Sequence, residues 1–427
     1  MTVCLKKINN LIIAVLTQNA VSSSPNIPIE EIIKHEPDIY FEYTQEDSRD
    51  LNNNTIIDKS FLNNYIPFIQ SLNPKKTKQN IVTKMFIKNK IFQTIKNTIK
   101  QGKIPIAAGK INAGFKDFFK NVGQNLGLAS YSKGGVYFTF NVNNQDFIFI
   151  NMHLPIKTHD KVSFGNEYRK ESMIQIIKKL KEKKLIDNNT FVFIAGDLNF
   201  RIFPDPTSGN LEDQLTKILS NPDEELKGIT ELEFKDPKDK IFTCKFDNKL
   251  NNNNFATLDE CRNQPIPDNM DENMGNIKKI QDSCGDPGRF PSRCDRSLLK
   301  MPMNNNINVV VLENKGKYLQ NMKSIRDNIN IHENTNAEKN DDNVSENDIN
   351  VEIIEENKSS VNSINKETLS EEIVDETKLI DSDHNALLSV IKIDFPTKGG
   401  GIKKRTTRKN KKSKSKKRKG KLKTCKK

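Results

Sequence analysis

The sequence predicts an α+β fold, with antiparallel sheets packed together and helices outside them. Apolar runs of strand length recur along the whole chain of 427 residues, and two of them are joined by a hairpin turn. Amphipathic helical segments lie between some strands, but strands and helices do not alternate strictly. Strict alternation is typical of a parallel sheet, so the mixed order favours packed antiparallel sheets.

The predicted strands are bounded by polar residues or by turn-forming residues. The turn Asn143–Asn144 joins the third and fourth strands as a hairpin. In chain order the strands are Leu11–Leu16, Asp38–Glu46, Gly134–Val142, Asp146–Leu154, Phe191–Ala195, Val309–Leu312 and Ala386–Phe395. The first run follows two lysines and also imitates a signal peptide, but six apolar residues are short for one, so a strand is favoured.

Two helices are predicted from apolar residues at helical spacing. The clearer helix carries them at i, i+3, i+4 and i+7, with lysine and glutamate on the other face: Met173, Ile176, Ile177 and Leu180. The second is indicated by Ile91, Phe92, Ile95 and Ile99.

Composition divides the chain into one domain and two segments predicted to be disordered. Residues 327–380 contain 15 acidic residues against 4 lysines and no aromatic residue, which is typical of a solvated loop. Residues 397–427 form a basic tail, with 16 lysines and arginines after residue 402. A single folded domain is therefore expected over residues 1–326 and 381–396.

The cysteines and the apolar runs bear on the cellular compartment. None of the six cysteines forms a CxxC pair, so a zinc site is not indicated. Scattered cysteines fit a reducing compartment with at most one bonded pair, and the chain has no transmembrane run. A cytoplasmic location is expected.

The stretch "FVFIAGDLNFRIF" ends a buried strand in groups that are costly to bury. Asp197, Asn199 and Arg201 follow five apolar residues without alternation. Residues i and i+2 of an extended strand point the same way, so Asp197 and Asn199 are expected to reach one spot. A carboxylate can orient and deprotonate a water molecule, and an amide can hold it. The alternative is a polar turn that simply closes the strand.

Other predicted strands also end in polar groups that fit catalysis. Each could be structural alone, but five polar strand ends in this order favour an active site. The residues concerned are Asn19, Glu46, His153, Asp295 and the run Ser382-Asp383-His384.

These motifs together resemble the endonuclease/exonuclease/phosphatase superfamily and, within it, the inositol polyphosphate 5-phosphatases. "FVFIAGDLNFRI" resembles that family's strand ending in Gly-Asp-x-Asn-Tyr-Arg, and "FPSRCDRSLL" resembles its Pro-Ala-Trp-Cys-Asp-Arg-Ile-Leu block. "SKGGV" resembles Asn-Lys-Gly-Gly-Val, "NMHL" resembles Asn-x-His-Leu, and "EPDIYFEYTQE" and "SDH" fit the superfamily. The resemblance implies a four-layered α/β sandwich of two packed mixed β-sheets with outer helices, as in DNase I-like folds.

The resemblance also implies a Mg²⁺-dependent phosphatase that removes the 5-phosphate of inositol polyphosphates or phosphoinositides by in-line attack of water. Glu46 and Asn19 are the implied metal ligands. The implied catalytic residues are Asp197, Asn199, His384, Asp295, His153 and Asp383. The candidates for holding substrate phosphates are Arg201, Lys245, Arg289, Arg296, Lys133 and Arg169.

The sequence departs from the family at three positions near these motifs. Gln18 and Arg293 stand where the family has Trp, and Cys244 stands where it has the Tyr of Pro-Thr-Tyr-Lys. The resemblance implies that this Tyr helps to grip a ring phosphate, so its loss bears on substrate preference more than on catalysis.

Two other functions remain open from the sequence. One is a nuclease of the same superfamily, such as an apurinic endonuclease or a DNase-like enzyme, and the other is a non-catalytic phosphoinositide-binding module. The basic tail fits an anionic membrane surface, non-specific nucleic-acid binding or a nuclear import signal.

Overall fold

The structure is a computed structural model, and fifteen parts of the chain are described in it. They are residues 7–20, 29–47, 64–73, 80–107, 129–155, 162–204, 211–220, 222–244, 246–247, 249–266, 274–285, 292–304, 307–317, 382 and 384–396. The acidic segment 327–380 and the basic tail 397–427 lie outside them. No helix of the described residues is long and apolar enough to cross a membrane.

Strands dominate the described residues. In chain order they are β1 Asn10–Asn19, β2 Ile39–Asp47, β3 Tyr65–Ser71, β4 Asn80–Lys88, β5 Lys100–Ala107, β6 Ala129–Val142, β7 Gln145–His153, β8 Phe191–Asp197, β9 Ile202–Pro204, β10 Leu211–Asp213, β11 Ile229–Glu231, β12 Asp295–Lys300, β13 Asn308–Lys317 and β14 Ala386–Asp394. The helices are α1 Ile29–Ile33, α2 Asn89–Ile95, α3 Val162–Glu182, α4 Gln214–Ser220, α5 Leu258–Arg262 and α6 Met274–Cys284.

The strands form two six-stranded mixed sheets and one two-stranded ribbon. Sheet A has the order β13-β14-β1-β2-β4-β3, sheet B has the order β11-β12-β8-β7-β6-β5, and β9 pairs with β10. Each large sheet contains one parallel pair, β1 with β2 and β7 with β8, and its other pairs are antiparallel. The predicted sandwich of two packed mixed sheets is confirmed.

The apolar runs without alternation are explained by strands that are buried on both faces. Along β7 and β8 the phenylalanines turn inward to the core between the sheets, where Phe41 of sheet A stacks on Phe149 at 4.6 Å between ring centroids. The intervening isoleucines and valines face outward and pack on α3 and α4. On the far side of sheet A, Ile32 of α1 packs on β1 and β2. Helix, sheet, sheet and helix are thus the four predicted layers.

The predicted elements are found, with one correction. All seven predicted strands are present, and the four apolar residues predicted for the clearer helix are fully buried in α3. The second predicted helix is wrong at its end, because α2 stops at Ile95. A 3₁₀ turn follows over Lys96–Thr98, and Ile99 has extended backbone that leads into β5. The apolar spacing continued past the helix because Ile99 also packs on the core between the sheets.

Two cysteine pairs are bonded, where the sequence indicated at most one. Cys244 is bonded to Cys294, and Cys261 is bonded to Cys284. The pairs come together only through the fold, because 50 and 23 residues separate their members in sequence. The Cys261–Cys284 bond lies inside a satellite unit, defined here as residues 241–285, whose helices α5 and α6 contribute to a separate apolar cluster. The Cys244–Cys294 bond connects that unit to the residue before β12.

Gly196 allows β7 and β8 to approach closely beside the end of β8. Its φ is +138°, a conformation that residues with a Cβ rarely adopt, and a Cβ there would overlap the carbonyl oxygen of Met152. Met152 is its register partner across the parallel pair. The glycine in the motif is therefore needed for the close approach of the two strands. That approach fixes the position of the next residue, Asp197, beside its register partner His153 on β7.

A buried ion-pair cluster joins β10, β11 and β12. Arg296 is almost fully buried, and its guanidinium lies 2.8 Å from Asp213 and 3.3 Å from Glu231. Arg293 binds the same two carboxylates, at 3.0 Å and 2.6 Å. Burial alone raises the pKa of Asp213, but the charges of Arg296 and Arg293 outweigh it and lower the pKa to about 2.

This pKa predicts a specific loss of stability in acid. Because the folded-state pKa of Asp213 lies below the ordinary 3.8, its contribution is fully present above about pH 4 and is lost as pH falls through 2. The shift corresponds to roughly 2 kcal/mol, of which about half is lost by pH 3. We expect the stability difference between the wild type and Asp213→Asn, measured by urea unfolding, to shrink below pH 4. A difference that stays constant from pH 6 to pH 3 would show that Asp213 does not titrate with this cluster.

Candidate active site

The strand register brings three of the polar strand ends side by side. His153 on β7 is the register partner of Asp197 on β8, and Asp295 on β12 is the partner of Asp197 on the other side. Asn19 ends β1 of the facing sheet, and its Nδ2 donates a hydrogen bond of 3.0 Å to Asp197 Oδ2. The predicted residues therefore meet at one end of the two packed sheets, around Asp197.

Asp197 is a fully buried carboxylate surrounded by donors. Besides Asn19, its Oδ2 lies 3.3 Å from His153 Nε2, and its Oδ1 accepts a hydrogen bond of 3.0 Å from the backbone N–H of Asn199. Burial alone raises the pKa of Asp197, but the hydrogen bond with His153 and the charges of His384 and Lys133 hold it well below the usual range. The carboxylate is therefore ionised at neutral pH and can act as an acceptor for a proton or a water molecule.

His153 is the neutral partner in this cluster. It is completely buried, and burial and the charge of Lys133 lower its pKa although Asp197 and Glu46 act in the opposite direction. Lys133 contacts the imidazole and lies 3.7 Å from Glu46 Oε1. The net result is an ionised Asp197 beside a neutral imidazole, with the cation of Lys133 next to both.

His384 and Asp295 form a buried pair on the opposite side of Asp197. The Nδ1 of His384 lies 2.8 Å from Asp295 Oδ2, and its Nε2 lies 4.0 Å from Asp197 Oδ2. Burial raises the pKa of Asp295 to about 6, against the lowering effect of the charge and the hydrogen bond of His384. The ring is thus oriented by Asp295 so that Nε2 faces the same space as Asp197.

Asn199 reaches the cluster by a different route from the one expected. β8 ends at Asp197, and Asn199 has a φ of 56° in the turn that follows, so the two residues are not i and i+2 of one extended strand. Its Nδ2 donates to the carbonyl oxygen of Leu154 at 2.7 Å. Its Oδ1 is buried and accepts no hydrogen bond from the described residues. That orphaned acceptor is suited to a water molecule or a substrate group.

Oxygen donors suited to a hard cation are present beside this cluster. The described residues contain no group of three or more His, Cys, Asp and Glu side chains arranged to hold a metal ion. Mg²⁺, however, prefers carboxylate and amide oxygens and usually takes only one or two carboxylates from the protein. Glu46 supplies a carboxylate that is 22% exposed, and Asn19 supplies a carboxamide. The donor types of these two residues fit Mg²⁺.

The predicted phosphate-binding residues that the structure describes fall into three groups. Arg169 lies close enough to Arg201 and to Asp197 to interact electrostatically, and burial together with the charge of Arg201 lowers the pKa of Arg169 to about 10, although Asp197 acts in the opposite direction. Lys133 lies at the other side of the cluster, by His153 and Glu46. Arg296 is different, since its nitrogens are bound to Asp213, Glu231 and the carbonyl oxygens of Arg293 and Phe200. Lys245, Arg289 and the catalytic candidate Asp383 lie outside the described residues.

Sequence reasoning missed residues that support the cluster. Gln45, the neighbour of Glu46, donates to Asn151 Oδ1 at 2.6 Å and to Thr17 at 3.2 Å, which ties sheet A to sheet B just below the site. Thr243 Oγ1 accepts hydrogen bonds from the backbone N–H groups of Cys294 and Asp295. Asn151 had a usable signal, because it is a polar residue in the apolar strand "FIFINMHL". Thr243 had none, because its partners lie about fifty residues away.

Several solved structures are similar to this chain at low sequence identity. One is the inositol polyphosphate 5-phosphatase domain of SPsynaptojanin in complex with inositol (1,4)-bisphosphate and calcium ion, at 15% identity and a TM-score of 0.44, over 90% of this chain and 86% of that one. A second is the Cimex nitrophorin ferrous NO complex, at 14% identity and a TM-score of 0.40, over 91% of this chain and 100% of that one. A third is D. rerio TDP2 complexed with single strand DNA product, at 10% identity and a TM-score of 0.39, over 90% of this chain and 99% of that one.

Sequence comparison identifies the family. No curated protein sequence matches this chain. The sequence profile of Endonuclease/Exonuclease/phosphatase family 2 matches residues 16–319, which is more than half of the chain and includes Asn19, Glu46, His153, Asp197 and Asp295. The members of this superfamily are hydrolytic enzymes, phosphatases or nucleases, and the chain belongs to the endonuclease/exonuclease/phosphatase family.

Proposed function

We propose that this protein is a Mg²⁺-dependent phosphoric monoester hydrolase that removes the 5-phosphate of inositol polyphosphates or phosphoinositides. The observation that carries the proposal is the buried, ionised Asp197, which lies between two histidines and interacts with Arg169, itself the neighbour of Arg201. Such a site offers an acceptor for the proton of water next to a place for a highly anionic substrate. A non-catalytic binding module would need the cations but not the buried carboxylate, whose burial is costly.

Asp197 is proposed to orient and activate the attacking water. Its carboxylate is fixed by Asn19, His153 and the backbone of Asn199, so little reorganisation is needed when a water molecule binds. The unsatisfied Oδ1 of Asn199 is a second acceptor for that water. A Mg²⁺ ion held by Glu46 and Asn19 would supply Lewis-acid polarisation of the phosphoryl oxygen.

His384 is proposed to contact the scissile phosphate through Nε2. Asp295 fixes the ring by accepting at Nδ1, so the other nitrogen is directed toward the space next to Asp197. A protonated imidazole there donates a charge-assisted hydrogen bond to an anionic oxygen. The pKa of Asp295 is raised to about 6, so its carboxylate is still mainly ionised at neutral pH and can accept from the ring.

Arg169 and Arg201 are proposed to hold the other phosphates of the substrate. Two neighbouring guanidinium groups repel each other, and a bound polyanion removes that cost. The sequence motif supports the inositol phosphate substrate over a nucleic acid, because Arg201 follows Asn199 as in the family's Asn-Tyr-Arg. A nuclease remains the alternative function of this fold, since the water-activating group is of a type that serves both reactions.

Replacing Asp197 by Asn or His384 by Ala should remove most turnover. The first change removes the proton acceptor and the second removes the donor to the phosphate, and each is expected to cost on the order of 10²–10⁴-fold in kcat. The measurement is phosphate release from phosphatidylinositol 4,5-bisphosphate and from soluble inositol polyphosphates, with Mg²⁺ and with chelator. Plain DNA and DNA with abasic sites are assayed in parallel.

Asp146→Asn is the matched control, because this exposed carboxylate lies at the opposite end of β7 and should leave the rate unchanged. Thermal unfolding of each variant shows whether the fold is intact. Near-normal turnover in folded Asp197→Asn would remove Asp197 from the chemistry. Cleaved DNA with untouched inositol phosphates would assign the protein to the nucleases.

Arg169→Lys should weaken substrate binding more than it slows the reaction. Lysine keeps the charge but loses the planar fork that matches two phosphate oxygens, and one charge-assisted hydrogen bond contributes about 1.5–3 kcal/mol. We expect KM to rise roughly tenfold or more, with a smaller change in kcat. Lys170→Met is the control, because the neighbouring Lys170 binds Asp223 at 2.8 Å instead. An unchanged KM in Arg169→Lys would exclude Arg169 from the substrate site.

The basic tail is proposed to bring the enzyme to an anionic membrane, a proposal that rests on sequence charge alone. Each lysine or arginine near such a surface contributes on the order of 1 kcal/mol. Full-length protein should co-sediment with vesicles containing phosphatidylserine, and protein lacking residues 398–427 should not. Equal binding of the two proteins would end the membrane proposal and leave nucleic-acid binding or nuclear import as functions of the tail.

A further inference from the structure

Among the contacts between the satellite unit and the candidate active site, those of one buried arginine stand out. Arg262, the last residue of α5, is completely buried, and its guanidinium lies 4.8 Å from the ring centroid of Phe246. Its Nε donates to Asn385 Oδ1 at 3.0 Å, and its Nη2 donates to the carbonyl oxygen of Ser382 at 2.9 Å. Both acceptors belong to the short segment that carries His384.

The two acceptors lie on either side of His384. Ser382 precedes it by two residues, and its hydroxyl accepts a hydrogen bond of 3.1 Å from the backbone N–H of His384. Asn385 follows directly, and its Nδ2 donates to the carbonyl oxygens of Arg262 and Phe242, both at 2.9 Å. One guanidinium therefore binds a residue before and a residue after the histidine, in addition to the bonds of Asn385 to Phe242 and Thr243 and of Ser382 to Asn19.

The position of α5 is itself fixed from two directions. Cys261, the neighbour of Arg262, is bonded to Cys284 at the end of α6, and both sulfurs lie in the apolar cluster of the satellite unit. Thr257 caps α5 by accepting from the backbone N–H of Glu260. A five-residue helix has little stability alone, so these constraints determine where the guanidinium lies.

Simple packing does not account for an arginine at this position. Burying a guanidinium costs free energy unless acceptors satisfy it, and an apolar side chain would fill the same space without that cost. Two acceptors of this guanidinium are a carbonyl oxygen and a side-chain amide on the segment that carries His384. Hydrogen bonds to them reduce the cost of burial and at the same time orient that segment.

We propose that Arg262 is a positioning residue for His384, which it holds at the distance and orientation needed for contact with the substrate phosphate. The expected effect on kcat rests on the proposed hydrolytic function, whereas the expected effect on the position of His384 does not. The hydrogen bonds from Nε and Nη2 of Arg262 go to the segment of His384, and not to Asp197, Asp295 or Asn19. Its effect on the reaction therefore passes through His384.

Arg262→Lys and Arg262→Gln test the proposal against a matched control, Ile280→Ala. Ile280 is buried in the same apolar cluster, so the control weakens the satellite unit without removing a hydrogen bond to residues 382–385. For the arginine variants we expect kcat to fall about 10–100-fold with KM within about twofold, because supporting contacts of this kind typically have such effects. For Ile280→Ala we expect a lower melting temperature and a kcat within about twofold of the wild type.

A second measurement does not require activity. In protein with ¹⁵N-labelled histidine, the ring signals of His384 are assigned by their loss in His384→Ala. The proposal expects these signals to shift in Arg262→Lys and to stay in place in Ile280→Ala, with the signals of His35 unchanged in both. Unshifted His384 signals in folded Arg262→Lys would overturn the proposal, as would equal losses of kcat in Arg262→Lys and Ile280→Ala. If the wild type is inactive on every substrate but the His384 signals shift in Arg262→Lys, the proposed function is wrong and the positioning role is supported.

Discussion

The structure depends on the burial of one carboxylate, that of Asp197, between two sheets. An ionised carboxylate without access to water is costly, and here the cost is offset by donors from three separate places. Asn19 comes from sheet A, His153 from the neighbouring strand of sheet B, and the N–H of Asn199 from the following turn. The distance between Asn19 and Asp197 is thus set by how the two sheets pack. The phenylalanine core between them, far from any reacting atom, is part of what defines the site.

The two acidic residues of the cluster are placed in environments that separate their pKa values. Asp197 receives hydrogen bonds and lies near several cations, which together outweigh its burial and lower its pKa. Asp295 is equally buried but has the single imidazole of His384 as its main partner, and its pKa is raised to about 6. Two carboxylates on adjacent strands are thereby suited to different tasks, one as a permanently ionised acceptor and the other as the group that orients the ring of His384.

Much of the fold was predictable because the central strands are buried on both faces. The run Phe191–Ala195 is apolar throughout, and such a pattern has few interpretations in a chain of this length. β4 and β5 were not predicted, because their sequences lack such an uninterrupted apolar run. β4 carries Thr83 and Lys84 in buried positions, and β5 contains Gly102 and Pro105, so neither has a clear apolar pattern. Their burial depends on partners elsewhere in the fold, which local sequence does not reveal.

Local sequence also does not reveal what an arginine binds. The arginines have the same side chain, but the fold places them in different surroundings. Arg296 is bound by Asp213 and Glu231, which lie 83 and 65 residues away, and this arrangement favours a structural role. Arg262 is bound by a carbonyl oxygen and an amide on the segment of His384. Arg169 donates to Asn166, has a cationic neighbour in Arg201, and forms no ion pair with a carboxylate in the described part of the chain. A buried guanidinium that is repelled by its neighbour gains most from an anion supplied in solution. The groups around each arginine therefore distinguish the three, and the surroundings of Arg169 are what led to its proposed role as a ligand of a substrate phosphate.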